Sequence, residues 1–207
     1  MNWKAWALAA LMLPCGLGVA GAAGLDFKGR AVSADVRQLA EWIDETGDAR
    51  GQPVAIVDKK AARLYVFDKK HRLVGSSAVI LGQTRGDHTV AGVGQRAQIG
   101  RVGLHERTTP AGRFESMPGR TLSGEDNVWL DYDAALAIHR LRPGPGHAAR
   151  LAGLKTDTAD DNRGSWGCVV VPVEFYERVV QRQLGQARGV VYVLPEVRSI
   201  TGVFAPV

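Results

Sequence analysis

The chain has 207 residues, of which 45% are hydrophobic, and its formal net charge at pH 7 is +5. This length suits one compact domain of ordinary size. The basic residues are scattered along the chain and do not form a stripe with interleaved aromatic side chains, so we expect no nucleic acid among the partners.

The N-terminal end has the pattern of a secretory signal peptide. Lys4 precedes an apolar stretch over residues 5–13, which is short for a membrane span, and small residues follow it. We predict that residues 1–23 are removed on export to the periplasm; a retained membrane anchor is the alternative. Cys15 would leave with this segment, and its attachment to lipid is disfavoured because no small residue precedes it.

A helical extension is predicted over residues 24–50. The stretch 33–46 carries apolar residues at helical spacing, Ser33 is a suitable N-cap, and Gly47 is a suitable end. The composition then changes to short runs of β-branched and aromatic residues. We therefore assign residues 51–207 to the main domain.

The main domain is predicted to be mainly β with a few helices. Short β-branched runs alternate with charged turns, which is the pattern of successive hairpins, and residues 171–184 have the periodicity of a helix. Residues 82–107 are rich in glycine and charge, so we predict a long surface loop there, with a short strand near 97–102. The predicted strands are 53–58, 63–68, 72–81, 128–132, 135–140, 167–172 and 189–195.

Cys168 is the cysteine that remains after signal cleavage, and it lies in the stretch RGSWGCVVVP. In an oxidising compartment such a cysteine forms an intermolecular disulfide, acts as a nucleophile or stays buried and inert, and the inert case is the commonest. A nucleophilic cysteine needs a base and hydrogen-bond donors for an oxyanion. Gly167 lets the backbone turn, so that nearby amides can point at one spot.

Among the five histidines, His139 is the strongest candidate for the base. It ends the apolar run ALAIH and precedes a loop rich in glycine and proline, where a strand can present a side chain to a pocket. Most strand-end histidines have no chemical role, and the spacing of His139 and Cys168 by itself leaves the two interpretations about even. A metal site is disfavoured because no close-spaced pair of ligands accompanies Cys168, and we expect no cofactor.

Three motifs, in this order, resemble those of the L,D-transpeptidase catalytic domain family, also called YkuD-type. T-P-A-G-R-F at 109–114 resembles the T-P-x-G-x-F segment, I-H-R at 138–140 resembles the histidine motif, and S-W-G-C at 165–168 resembles S/T-H-G-C. The resemblance covers roughly residues 53–195. It implies a mainly β, β-sandwich-like catalytic domain with a few helices and a mobile capping loop, for which residues 83–107 are the best candidate.

The resemblance also implies roles for single residues. Cys168 would be the nucleophile, and His139 would be the general base that later protonates the leaving amine. The carbonyl of Arg140 would orient the imidazole, and the amides of Gly167 and Cys168 would stabilise the oxyanion. Substrate contacts are expected at three further positions, Arg163, Ser165 and Trp166, of which Ser165 would also shape the turn.

Two residues depart from the family motifs. Trp166 stands in place of the histidine in S/T-H-G-C, and an indole can donate one hydrogen bond but cannot carry a proton. Val170 stands in place of arginine or asparagine. We expect the Trp166 ring to wall the pocket and to set the choice of substrate or acceptor; burial of the ring beneath the turn is the alternative.

The implied activity is L,D-transpeptidation of peptidoglycan stem peptides. Cys168 would attack an amide and form a thioester, and an amine would then accept the acyl group. Hydrolysis of the same thioester would make the protein an L,D-carboxypeptidase or amidase. A catalytically weak cell-wall-binding domain is the alternative from another class, and a thiol that reacts fast at neutral pH would favour the enzyme. The acceptor and any protein partners stay open.

Overall fold

The computed structural model describes residues 24–204, and the predicted signal peptide lies outside the described residues. Within 24–204, no helix has the length and apolar character needed to cross a membrane. The strands are β1 (Val54–Asp58), β2 (Arg63–Phe67), β3 (Leu73–Ala78), β4 (Leu81–Gly82), β5 (Gly112–Arg120), β6 (Asp126–Asp131), β7 (Leu136–Arg140), β8 (Arg163–Ser165), β9 (Val169–Val171) and β10 (Gly189–Val193). The α-helices are α1 (Ala34–Thr46), α2 (Val93–Gln98), α3 (His147–Gly153) and α4, which is continuous through Val173–Phe175, a π-helical turn at Tyr176–Val180, and Gln181–Gln183.

The two predicted helices are present, and so are the predicted strands apart from the one expected near 97–102; the signals at the ends of α1 act as expected. The Ser33 hydroxyl accepts a hydrogen bond from the Val36 N–H at 3.2 Å, and Gly47 ends the helix with a left-handed φ of 61°. The strand expected near 97–102 is wrong, because residues 93–98 form α2. This short helix ends in a turn at Gly100, whose φ of 69° does not fit a strand.

The nine-residue strand β5 was not predicted, because Pro118 and Gly119 disfavour a strand in isolation. Its two halves pair with different neighbours: residues 112–116 pair with β10 and residues 117–120 pair with β6. Pro118 therefore lies where the strand is paired on one side only, and a missing N–H is tolerated there. The short strand β8 was not predicted either.

Eight strands form one mixed sheet in the order β3-β2-β1-β10-β5-β6-β7-β9, and β4 pairs with β8 in a small parallel sheet. Ile80, just after β3, exchanges two backbone hydrogen bonds of 2.8 and 2.9 Å with Val170 of β9. The two edges of the large sheet therefore meet, and the sheet is rolled almost into a barrel. The predicted mainly β domain with a few helices is confirmed.

Alternation of side chains along the strands fills two separate cores. Residues such as Val57 and Ile138 point into the rolled sheet, where α4 adds the fully buried Tyr176. On the outer face of β1, β2 and β10, α1 buries Leu39 and Ile43. The candidate site lies on the outer face of the opposite strands, β6, β7 and β9.

Candidate active site

The register of β7 and β9 places Cys168 and His139 on one face of the sheet. The two strands are parallel, with His139 opposite Val170 and Ile138 opposite Val169. Alternate residues of a strand share a face, so Cys168, two residues before Val170, projects on the His139 side. Residues in this relation are diagonal cross-strand neighbours, which long side chains can bridge. Ile138 and Val169 project on the other side, into the inner core.

The imidazole of His139 has a fixed orientation. Its Nδ1 lies 2.8 Å from the carbonyl oxygen of Arg140, and because a carbonyl can only accept, Nδ1 carries the proton and Nε2 is left as the acceptor. Burial lowers the pKa of His139 to about 4, and the charges of Arg142 and Arg150 act in the same direction. The ring is therefore neutral at pH 7 and able to take a proton. The guanidinium of Arg140 points elsewhere and is paired with Asp126.

The Cys168 thiol is held in its protonated form. Its Sγ lies 3.2 Å from the carbonyl oxygen of Ala135, to which the S–H donates. Burial raises the pKa of the Cys168 thiol above its ordinary value. A neutral thiol and a neutral imidazole thus share one face of the sheet, in contrast to a preformed thiolate–imidazolium pair. A base can act on this cysteine only by taking its proton during attack.

This arrangement predicts slow thiol chemistry at neutral pH, unlike the fast labelling that we expected of an enzyme from the sequence. The rate of alkylation of Cys168 by iodoacetamide should be low at pH 7 and should still be rising above pH 8.5, the ordinary thiol pKa. A pH–rate profile followed by mass spectrometry measures this, with free glutathione as the control. A plateau of high reactivity between pH 5 and 7 would reveal an ion pair and contradict the neutral state.

The turn before the nucleophile is shaped by Ser165 and Gly167. The Ser165 hydroxyl donates to the Cys168 carbonyl at 2.6 Å and accepts the Gly167 N–H at 3.1 Å. Gly167 has a φ of 133°, and a Cβ there would lie 2.9 Å from the carbonyl oxygen of Thr108, so only glycine fits. The turn-shaping role expected of Ser165 matches this geometry.

These hydrogen bonds correct two expectations. The Gly167 N–H is engaged by Ser165, so of the two amides expected to stabilise an oxyanion only that of Cys168 is retained in our account. The Ser165 side chain is buried and its hydroxyl is used within the turn, so a substrate contact at Ser165 is not supported.

Thr109, from the T-P-A-G motif, ties this turn to the rest of the domain. It is fully buried. Its hydroxyl donates to the Gly167 carbonyl at 2.7 Å and accepts the Gly82 N–H at 2.9 Å. A Cβ at Gly82 would lie 2.3 Å from the carbonyl oxygen of Arg107, so this close approach requires glycine. The sequence motif was the available signal for Thr109, but the contact itself was not predicted.

Arg163 is engaged in a buried ion pair, so the substrate contact expected there is not retained in our account. Its side chain is 9% exposed and its guanidinium lies 2.6 Å from Glu196. Glu196 is also 3.7 Å from Lys59, which pairs with Asp87 at 2.8 Å. These four residues form a buried ionic cluster. Burial acts to raise the pKa of Asp87, but hydrogen bonds from Lys59 and from the backbone amides of 196–198 outweigh it and hold that pKa well below its ordinary value.

Trp166 lies on the surface beside the turn. Its side chain is 45% exposed, so burial beneath the turn, the alternative considered above, is wrong. The guanidinium of Arg107 lies over the indole, 4.9 Å from the ring centroid. Val170, the other departure, is buried with Ile80 and Leu141 in a small apolar cluster, which accounts for an apolar residue at that position.

A groove of about 530 Å³ is lined in part by Ala135, whose carbonyl accepts the hydrogen bond from Cys168, although neither Cys168 nor His139 lines it. The rings of Trp129 and Tyr132 stack at 4.4 Å and form part of its wall. Helix α2, from the segment proposed as a capping loop, forms another part, and the Gly94 N–H donates to the Asp133 carbonyl at 3.0 Å. The groove was not predicted, because its residues come from segments that are distant in sequence. Among the described residues, no group of three or more His, Cys, Asp or Glu side chains could hold a metal ion.

No family model matches this sequence, and no curated protein matches it. Among solved structures, the chain is similar to two L,D-transpeptidases. One is the L,D-transpeptidase LdtMt1 in complex with imipenem, at 13% identity and a TM-score of 0.38 over 69% of this chain and 58% of that chain. The other is the catalytic domain of the E. faecium L,D-transpeptidase, at 15% identity and a TM-score of 0.34 over 70% of this chain and 98% of that one. The chain thus spans a little over half the length of the first of these proteins.

Proposed function

We propose that the protein is a peptidoglycan-directed cysteine acyltransferase of the L,D-transpeptidase type, with Cys168 as nucleophile and His139 as general base. The observation that carries the proposal is the placement of these two residues as diagonal neighbours on one sheet face, with Nδ1 of His139 held by the Arg140 carbonyl. The motif order in the sequence supports it. We also propose that residues 1–23 direct export, since peptidoglycan lies outside the cytoplasm.

The proposed reaction has two stages. Nε2 of His139 takes the thiol proton as Sγ of Cys168 attacks the carbonyl carbon of a stem-peptide amide, and the Cys168 N–H donates to the oxyanion. The C–N bond then breaks, His139 protonates the leaving amine, and a thioester remains. In the second stage an amine attacks the thioester, His139 accepts its proton, and the thiolate leaves and recovers a proton to restore the thiol. Attack by water in place of the amine would give hydrolysis.

Product analysis tests this proposal. The protein beginning at residue 24 is incubated with a stem tetrapeptide, with and without an amine acceptor, and the products are separated by mass. We expect cross-linked product that depends on the acceptor. Hydrolysed peptide alone would assign the site to an L,D-carboxypeptidase, and an unchanged tetrapeptide would contradict the enzyme. A carbapenem, as an activated amide, is expected to acylate the same sulfur.

A second candidate is a catalytically weak domain that binds the cell wall. The neutral, partly buried thiol favours it, because desolvation raises the pKa of Cys168 and lowers that of His139. This candidate predicts that the protein sediments with insoluble peptidoglycan and that Cys168→Ala sediments equally well, with no peptide consumed by either.

Trp166 is expected to affect the choice of acceptor more than the stability of the fold. Since the ring is 45% exposed, Trp166→Ala should change the free energy of unfolding by less than about 1 kcal/mol, and it should raise the ratio of hydrolysed to cross-linked product. Trp166→His should keep the rate of thiol alkylation and shift the same ratio. Melting temperature and product ratio are measured on each variant, with Val197→Ala as a control for loss of an exposed apolar side chain away from the groove. An unchanged ratio in both Trp166 variants would contradict this role.

A further inference from the structure

We propose that Thr109 is a positioning residue that aims the Cys168 N–H at the developing oxyanion, an assignment that rests on the proposed acyl transfer. Thr109 is fully buried. Its hydroxyl uses both its proton and a lone pair, since it donates to the Gly167 carbonyl at 2.7 Å and accepts the Gly82 N–H at 2.9 Å. A hydroxyl held at both ends in this way has one orientation.

The hydrogen bond from Thr109 to the Gly167 carbonyl fixes the orientation of a whole peptide group. The Gly167 carbonyl and the Cys168 N–H belong to the same peptide group, and in a planar trans peptide they point in opposite directions. Holding the carbonyl toward Thr109 therefore fixes the direction of the N–H on the other side. Without this contact, Gly167 would allow the peptide plane to rotate, because a glycine at φ 133° meets no side-chain restraint of its own.

The backbone of Thr109 is in turn anchored by a buried ion pair. The Lys59 ammonium donates to the Thr109 carbonyl at 2.8 Å and is paired with Asp87 at the same distance. Lys59 and Asp87 are both buried, so this anchor is shielded from solvent and from screening by salt. The buried ionic cluster therefore supports the backbone of Thr109, whose hydroxyl supports the Cys168 turn.

The positioning role predicts a split between two reactions of one sulfur. Alkylation by iodoacetamide displaces iodide and forms no oxyanion, so it depends on the thiol and its base. Acylation by p-nitrophenyl acetate passes through an oxyanion: Sγ bonds to the acetyl carbon, p-nitrophenolate leaves, and the thiol proton passes to His139 and then to water. A misdirected Cys168 N–H should slow the second reaction selectively, since loss of an oxyanion donor slows such reactions by about 10²–10³-fold.

The test compares both rates in wild type, Thr109→Val, Thr109→Ser and Thr108→Val. We expect Thr109→Val to acylate about tenfold or more slowly while its alkylation rate stays within about threefold of wild type. Thr109→Ser, which keeps the hydroxyl, should recover acylation. Thr108→Val makes the same change at the neighbouring position and should leave both rates unchanged. Circular dichroism and melting temperature confirm that each variant is folded.

Three results would overturn the assignment. Equal slowing of both reactions in Thr109→Val would indicate damage to the thiol and its base. Equal acylation by Thr109→Val and wild type would remove the role of the hydroxyl. Failure of Thr109→Ser to recover acylation, in a folded protein, would do the same. A wild-type protein that is alkylated but never acylated would instead contradict the proposed function itself, so the two failures are distinguishable.

Discussion

Replacing Cys168 by alanine is expected to abolish consumption of stem peptide and formation of any acyl-enzyme. The sulfur forms the only covalent bond to substrate in the proposed mechanism, so its removal leaves that mechanism without a nucleophile. Cys168→Ser should also show no detectable activity. A hydroxyl is far harder to deprotonate than a thiol, and His139, with a pKa lowered to about 4, is a weak base.

Product formation is measured by mass spectrometry, and circular dichroism checks the fold of each variant. Cys168 is partly buried and its thiol makes only weak sulfur hydrogen bonds with the backbone of the β7 edge, such as that to the Ala135 carbonyl, so Cys168→Ala should remain folded. Turnover at the wild-type rate by folded Cys168→Ala would contradict the mechanism.

His139→Ala is expected to lower the rate of acylation of Cys168 by about 10²-fold or more, the range typical of a lost general base. The effect should be large because the resting thiol is protonated and burial raises the pKa of Cys168. Acylation by p-nitrophenyl acetate gives the rate directly. His147→Ala is the matched control, since His147 begins α3 and is not on the Cys168 face of β7. A greater loss in His147→Ala than in His139→Ala would show that the base is wrongly assigned.

The pH dependence of the wild-type rate provides an independent check of the same residue. A base works in its deprotonated form, and the pKa of His139 is lowered to about 4. The acid limb of the acylation profile should therefore lie near pH 4, well below the ordinary histidine value of about 6.5. His139→Ala should lose this limb. An acid limb near pH 6.5 would indicate that the imidazole is not buried as described.

Local sequence patterns were sufficient for the strands that carry β-branched runs and for the two helices with a clear apolar period, α1 and α4. The strand β5 escaped notice since its pairing changes partner along its length, so Pro118 is tolerated for a reason that only the sheet reveals. At residues 93–98 the error is different, because a helix forms where we predicted a loop with a short strand nearby. Glycines and polar residues obscured a short helix that is held by its contact with Asp133.

The candidate site was predictable where a motif fixes local geometry. The contact of His139 with the Arg140 carbonyl was expected from the family resemblance, and the hydrogen bonds of Ser165 and Gly167 lie within one short turn before Cys168. The ion pair of Arg163 was not predicted, because its partner, Glu196, is 33 residues away in sequence and no local pattern indicates a buried ion pair. The position of Thr109 between Gly82 and Gly167 was hidden for the same reason.

The sequence alone could not predict the protonation state of the Cys168 thiol. Cys168 and His139 suggest an activated pair when they are seen as motifs, but burial shifts the two pKa values apart and leaves both groups neutral. Catalysis on this scaffold would then depend on proton transfer during attack and on the oxyanion donor, more than on a standing thiolate. The proposed mechanism therefore depends most on His139 and on the backbone of the Cys168 turn.

The most direct test of the central claim is the mass of the protein after brief incubation with a stem tetrapeptide and an acid quench. The account predicts an added mass equal to the tetrapeptide less its terminal residue, mapped by proteolysis to the peptide that contains Cys168 and absent from Cys168→Ala. An adduct on any other residue, or no adduct in a protein whose Cys168 is still alkylated by iodoacetamide, would contradict it.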